Sequence, residues 1–156
     1  MGSIYASLLS RQGNKVYVID KWQEHINKIK KNGLKIEGAS GTNIYKSLEA
    51  FTEVPDNISF ELIIISTKAS GVRDAAIEIK KIVKDNTIVI SIQNGIGSSD
   101  VIKNYIPQKN LLVGVADGFG ASIIKPGHIH HNAMKLIRFG ELEGGITKRL
   151  SSIIEL

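Results

Sequence analysis

A chain of 156 residues is long enough for one domain with its own core, and 42% apolar with 22% charged residues is the balance of a globular protein, not a disordered or fibrous one. The lack of cysteine excludes a disulfide framework, zinc-ribbon sites and thiol catalysis, and fits a reducing cytoplasm. The formal charge of +5 comes with few aromatics and no basic stripe, which argues against nucleic acid and suits an anionic small molecule.

No apolar stretch approaches the roughly 18–20 residues that span a membrane. No charged segment precedes an apolar leader. In chain order, Ser3–Gln12 carries Ile4, Leu8 and Leu9 at helical spacing, and Gly13 stops it. Lys15–Asp20 is a strand. Gln23–Lys31 is a helix with Ile26 and Ile29 inward, Lys28, Lys30 and Lys31 on a solvated face, and Asn32-Gly33 as its stop. Leu34–Glu37 and Asn43–Lys46 are short strands flanking the Gly38–Gly41 turn. Glu61–Ser66 is a strand, and Gly71–Val83 a helix with Val72, Ala75, Ala76, Ile79 and Ile82 on one face. Thr87–Ile92 is a strand. Ser99–Tyr105 is a short helix capped by Ser98 or Ser99, with Pro107 beyond it. Leu111–Val115 is a strand. Gly127–His131 and Lys135–Phe139 are expected to pair as antiparallel strands around Asn132-Ala133-Met134, and Thr147–Leu156 begins a helix.

This alternation of helix and strand predicts right-handed βαβ crossovers: an α/β, doubly wound, mostly parallel Rossmann-like sheet. The short β-branched runs read as strands buried on both faces. Three end abruptly in polar residues: Lys15–Ile19 in Asp20-Lys21, Leu62–Ile65 in Ser66-Thr67-Lys68, and Ile88–Ile92 in Gln93-Asn94-Gly95. In open α/β sheets such carboxyl ends line the crevice that holds ligands.

Each motif has a functional and a plain reading. Met1-Gly2-Ser3 before an apolar helix has the form of the end of a G-x-G-x-x-G turn, with only the glycine of close helix–strand packing present; taken alone, a start codon followed by small residues accounts for it better. Asp20 lies about 18 residues after Gly2, near the spacing of a ribose-binding acid that favours NAD. Lys21 beside it would instead receive a 2′-phosphate and favour NADP, and a charged solvent-facing turn is the plain alternative. Lys68 is a point charge suited to phosphate or a developing oxyanion. Asn94 offers donor and acceptor, and Gly95 lets the backbone turn towards a ligand. His128 and His130 share a strand face opposite to His131; with no acidic or cysteine partner close in sequence, they read as surface or strand-pairing histidines, and no metal is expected. There is no G-x-S-x-G elbow and no carboxylate pair for glycosidase chemistry.

Taken together, the motifs resemble the N-terminal domain of the ketopantoate reductase (2-dehydropantoate 2-reductase) family. They are M-G-S at the first helix, H-x5-K-N-G-L (His25–Leu34), S-T-K-A (Ser66–Ala69), S-I-Q-N-G-I-G (Ser91–Gly97), G-A-x4-P-G-x-I-x-H (Gly120–His131, with His130 taken as the family's histidine) and F-G-E-L-E-G (Phe139–Gly144). The resemblance implies NADPH-dependent reduction of 2-dehydropantoate to pantoate on the route to coenzyme A, with a 2-oxo acid as the small-molecule partner. It implies that Gly2 and Ser3 lie beside the pyrophosphate, and that Lys21 or its neighbour Asp20 meets the adenosine ribose or its phosphate. Thr67, Lys68, Gly95 and Ala121 fall on the cofactor side, and Asn94 contacts both nicotinamide side and substrate. A homo-oligomer is left open.

Three departures from the family pattern set further expectations. The opening strand and first two glycines of the family are absent, so the sheet is expected to lack its first strand, at about 1–3 kcal/mol for each buried backbone group left unpaired. The helical domain that carries the family's catalytic lysine is absent, so residues 1–156 are expected to form one NAD(P)-binding domain without a catalytic residue of its own. Gly71 stands where the family often has glutamine. Two other readings remain, a different 2-oxo-acid or opine-type reductase and a non-catalytic nucleotide-binding domain, and NAD stays open as the cofactor in place of NADP.

Overall fold

A computed structural model describes residues 1–93 and 97–155 of the chain. In order, the elements are α1 (Gly2–Arg11), β1 (Tyr17–Ile19), α2 (Gln23–Asn32), β2 (Leu34–Gly38), β3 (Asn43–Tyr45), β4 (Glu49–Phe51), β5 (Leu62–Ile65), α3 (Val72–Lys80), β6 (Ile88–Ser91), α4 (Ser98–Lys103), β7 (Leu111–Asp117), β8 (Gly120–Lys125), β9 (His128–Ala133), β10 (Leu136–Glu141) and α5 (Lys148–Ile154). The result is the expected mixed α/β architecture with parallel strands. None of the described helices is long and apolar enough to cross a membrane.

The backbone divides into two units, Met1–Pro55 with Gly118–Leu136, and Asp56–Asp117 with Ile137–Leu156. In the first unit, β1 runs parallel to β4, with Tyr17 opposite Glu49 and Ile19 opposite Phe51. A separate four-stranded sheet has the order β3-β2-β9-β8, in which β2 runs parallel to β9 and antiparallel to β3, and β9 runs antiparallel to β8. Helices α1 and α2 supply Ile4, Ile26 and Ile29, at most 2% exposed, to a core completed by Leu34, Ile36 and Ile129 from the strands. The lysines at 28, 30 and 31 face solvent, as their helical spacing predicts.

In the second unit, β10-β7-β6-β5 form one sheet, with β5, β6 and β7 parallel. Ile90 and Leu112 are buried beneath Leu150 and Ile153 of α5. Thr147 caps α5, its hydroxyl accepting from the Leu150 N–H at 3.2 Å.

Three local expectations need correction. The cap of α4 is neither Ser98 nor Ser99. It is Gly97, at φ 101°, with no side-chain hydrogen bond, because a left-handed residue turns the chain into the helix there. The segments around Asn132-Ala133-Met134 do not pair with each other. Strand β9 is flanked by β2 and β8, and β10 lies beside β7 in the other sheet. The hairpin partner of β9 is β8, joined through Pro126-Gly127, with Gly127 at φ 74°. Strands β4 and β8 have no counterpart in the sequence reading. The first is three residues long; the second exposes Ile123 and Ile124, so its apolar residues trace no buried face.

Candidate functional site: the strand ends and the first helix

In the first unit, α1 begins at Gly2 and has no side-chain cap. Met1 supplies only its carbonyl, which accepts from Ile4 N at 2.8 Å and Tyr5 N at 3.3 Å. The earliest amides of the helix, at Gly2 and Ser3, precede the first intrahelical bond and point out of its positive end. Partial burial holds the Met1 ammonium below its usual pKa. Ala6 and Ser7 are buried behind this turn, and the Ser7 hydroxyl donates to the Ile4 carbonyl at 2.8 Å.

Asp20 leaves β1 through one further backbone bond, from its N–H to the Phe51 carbonyl at 3.1 Å. Its Oδ1 accepts from the Trp22 N–H at 2.8 Å. The carboxylate therefore works as a local turn residue ahead of α2, with its second oxygen at the strand end. Lys21 is exposed beside it. Ala121 lies on β8 opposite His131 and packs against the unit's core.

The histidines differ from the sequence expectation. Parallel pairing of β2 with β9 sets Lys35 opposite His128 and Glu37 opposite His130. Glu37 Oε2 lies 2.8 Å from His128 Nε2 and 3.1 Å from Lys35 Nζ, and its Oε1 lies 3.8 Å from His130 Nδ1. Hydrogen bonds from Lys35 and then His128 hold the Glu37 carboxyl below its usual pKa. An acidic partner thus exists, but it arrives from a strand 91 residues away in sequence. Nor are all three histidines surface groups: His128 is 9% exposed and His131 is fully buried. The G-A-x4-P-G-x-I-x-H spacing closes on His131 and not on His130. The His131 ring packs 5.1 Å from Phe119, and among the described residues neither ring nitrogen has a partner of ordinary hydrogen-bond geometry. Burial keeps its pKa below the usual imidazole value, against a smaller opposing pull from the Ala133 backbone. Among the described residues no group of three or more histidine, cysteine or acidic side chains could hold a metal ion.

In the second unit, β5 delivers Ser66, Thr67 and Lys68, which lead through a 3-10 turn (Ala69–Gly71) into α3. Thr67 and Lys68 are exposed. Gly71 has an ordinary backbone, and a Cβ there would sit 3.4 Å from the Thr67 Cβ, in normal contact, so the departure from glutamine leaves no steric conflict behind it. At the end of β6, Ser91 and Gln93 are both buried. Asn94 and Gly95 lie outside the described residues. A cleft of about 270 Å³ opens at the carboxyl ends of β6 and β7, lined by Ser91, Gln93, Ser98, Ser99, Asp100 and Glu141 among others. Glu141, whose side chain is 8% exposed, accepts from both Arg149 and Thr147. Arg149 holds its carboxyl below the usual pKa, burial opposes this, and Thr147 adds to it.

Sequence reading missed Glu37 and the Glu141–Arg149 pair and gave Gln93 no role. For Gln93 the signal was present: an amide directly after an apolar strand is a buried polar group that needs partners.

The ketopantoate reductase PanE/ApbA family model matches residues 1–144. The chain belongs to the ketopantoate reductase family. A curated 2-dehydropantoate 2-reductase of Streptococcus pyogenes serotype M1 is 35% identical over 130 residues, covering 83% of this chain and 41% of the relative. Among solved structures, D-mandelate dehydrogenase with NADH and anilino(oxo)acetate superposes with a TM-score of 0.86 at 29% identity, over 97% of this chain and 48% of that one. An Enterococcus faecalis protein described as a candidate 2-dehydropantoate 2-reductase gives 0.82 at 28%, over 99% of this chain and 49% of that one. The chain thus spans about half the length of the relatives it matches. The activity, cofactor and substrate named for those longer relatives are properties of the relatives.

Proposed function

We propose that residues 1–156 form the NADPH-binding domain of a reductase that converts 2-dehydropantoate to pantoate. The observation that carries this reading is the first turn of α1: a helix of ten residues that starts on glycine, with no side-chain cap on its amides, inside the region matched by the family. A helix end of that kind is suited to a phosphate group.

The residues present fit a dinucleotide. Gly2 and Ser3 offer backbone N–H donors to a pyrophosphate, and neither brings a bulky side chain to the approach. Asp20 spends one carboxylate oxygen on the Trp22 amide and keeps the other for a ribose hydroxyl. Lys21 places positive charge next to the same strand end, where a 2′-phosphate is recognised. In the second unit, Thr67 and Lys68 offer a hydroxyl and an ammonium at the exit of β5. Ala121 is small enough to leave a cofactor surface uncrowded, and Asn94 and Gly95 are assigned to the nicotinamide and substrate side by motif alone. When bound, the cofactor supplies hydride to a ketone carbon. Proton donation to the ketone oxygen needs a cationic acid, and none of these residues is given that role. A cysteine-free chain suits the cytoplasm, where the reading puts it.

A second reading keeps the fold and exchanges the substrate and cofactor for another 2-oxo acid and NADH. It is favoured by the Asp20 carboxylate at the end of β1 and by the likeness to D-mandelate dehydrogenase in complex with NADH. Fluorescence titration of the purified chain with NADPH and with NADH separates the two, alongside circular dichroism. Tighter NADPH binding supports the first reading. Tighter NADH binding favours the second, and a folded chain that binds neither would overturn both.

A further inference from the structure

The register of β5 with β6 closes at Ile65 opposite Ser91, after which both strands leave the ladder. Beyond it, a backbone bond and a side-chain bond both reach the Ile65 carbonyl. Gln93 is 8% exposed, and its Nε2 donates to the Ile65 carbonyl at 2.6 Å. The same carbonyl accepts from the Ile92 N–H at 3.2 Å, so both of its lone pairs are used. The other end of the amide, Oε1, accepts from the hydroxyl of Ser91, which is 4% exposed. Chemistry fixes this orientation. A carbonyl can only accept, so the amide N–H must face Ile65, and Oε1 is left to accept from the Ser91 hydroxyl.

A buried amide satisfied in this way rigidifies its surroundings, because each alternative position leaves a polar group unpaired. Its location matters as much as its bonds. Ile65 is the last residue before Ser66-Thr67-Lys68, and Gln93 is the last before Asn94-Gly95.

We propose that Gln93, oriented by Ser91, is a positioning residue that fixes the end of β5 from which Thr67 and Lys68 leave, and thereby sets how tightly the nicotinamide dinucleotide is held. The functional half of this proposal rests on the cofactor reading above. The clamp acts through the backbone and touches no reacting atom.

The test uses the full chain and NADPH as probe, with amide hydrogen exchange of residues 62–68 as a second readout. Gln93→Met keeps the volume and removes both hydrogen bonds. It weakens NADPH binding about tenfold and speeds exchange at residues 66–68, as expected when a few tenths of an ångström of placement are lost. Ser91→Ala moves both readouts in the same direction by less. Gln93→Glu is diagnostic: an ionised carboxylate cannot donate to Ile65, but a protonated one can, so its NADPH affinity recovers towards the wild type as pH falls from about 8 to about 5. A merely structural glutamine gives no such rescue. Wild-type affinity and exchange in Gln93→Met, or a Gln93→Glu pH profile parallel to that of the wild type, would overturn the proposal. If the wild-type chain binds no dinucleotide, the cofactor reading falls separately, and unchanged exchange at residues 66–68 in Gln93→Met then overturns the clamp itself.

Discussion

Replacing Arg149 with methionine probes the second unit most sharply. The side chain of Glu141 is 8% exposed and that of Arg149 is 26% exposed. Arg149 donates through Nε at 2.8 Å and through Nη2, and Nη2 also reaches the Leu111 carbonyl at 3.4 Å. The pair therefore ties the end of β10 to the start of α5 and to β7. Without the guanidinium, Glu141 keeps, among the described residues, only the Thr147 hydroxyl. Removing one partner of a fully buried pair costs about 3–5 kcal/mol. Partial exposure of Arg149 reduces this to about 2–3 kcal/mol, because water already shares the load. For a chain of this size that is a fall in melting temperature of about 5–10 °C. The pH dependence supplies the stricter check. In the wild type the Glu141 pKa lies below its usual 4.5, so the pair stabilises the fold above that value, and the contribution is lost as pH falls through the folded-state pKa. In Arg149→Met, burial raises the pKa instead, and protonation relieves the lone carboxylate as pH falls. Differential scanning calorimetry at several pH values should therefore show a gap between the two proteins that is widest near neutrality and closes towards about pH 4. A gap below about 1 kcal/mol at neutral pH, or one independent of pH, would refute the reasoning.

Two further substitutions test the first unit. Gly38→Ala should destabilise by at least about 3 kcal/mol in urea unfolding, because Gly38 sits at φ 105° and a Cβ there would lie 2.3 Å from the His131 backbone oxygen. His131→Phe should flatten the acid side of the stability profile. Burial lowers the His131 pKa below its usual 6.5, so the imidazole is held neutral, and stability present above that value is lost as the unfolded chain takes up the proton at lower pH. A phenylalanine on Phe119 does not titrate, and an unfolding midpoint that still drops equally between about pH 7 and about pH 5 would exclude His131 as a source of that slope.

The elements legible in the sequence were those whose pattern is local. Helices α1, α2 and α3 carry their apolar residues at helical spacing. Strands β5 and β6 are apolar runs closed by polar residues, and their boundaries fall within a residue or two of the expected ones. What escaped depends on contacts distant in sequence. Strand β4 exists because it pairs with β1, and Glu49-Ala50-Phe51 shows no alternation of its own. The hairpin of β8 and β9 had a readable signal in Pro126-Gly127, but proximity pointed the wrong way, to β10. At the candidate site, Thr67 and Lys68 stand where the run of β5 ends, as the strand-end argument requires. Glu37 could not be joined to His128 in advance, since only parallel pairing of β2 with β9 brings the two together. Asp20 reads as a ribose ligand in sequence, yet one of its oxygens turns the chain into α2, a local use that an Asp-x-x spacing before a helix also encodes.

Binding of a nicotinamide dinucleotide by residues 1–156 is the reading on which the rest depends. The most direct measurement is a backbone amide NMR titration of the isotopically labelled chain with NADPH. The account predicts that the largest shifts fall on Gly2, Ser3, Asp20 and Lys21 in the first unit and on Thr67, Lys68 and Asn94 in the second. Shifts confined to other residues, such as the Glu37–His128 face, or none at saturating NADPH in a folded chain, would contradict it.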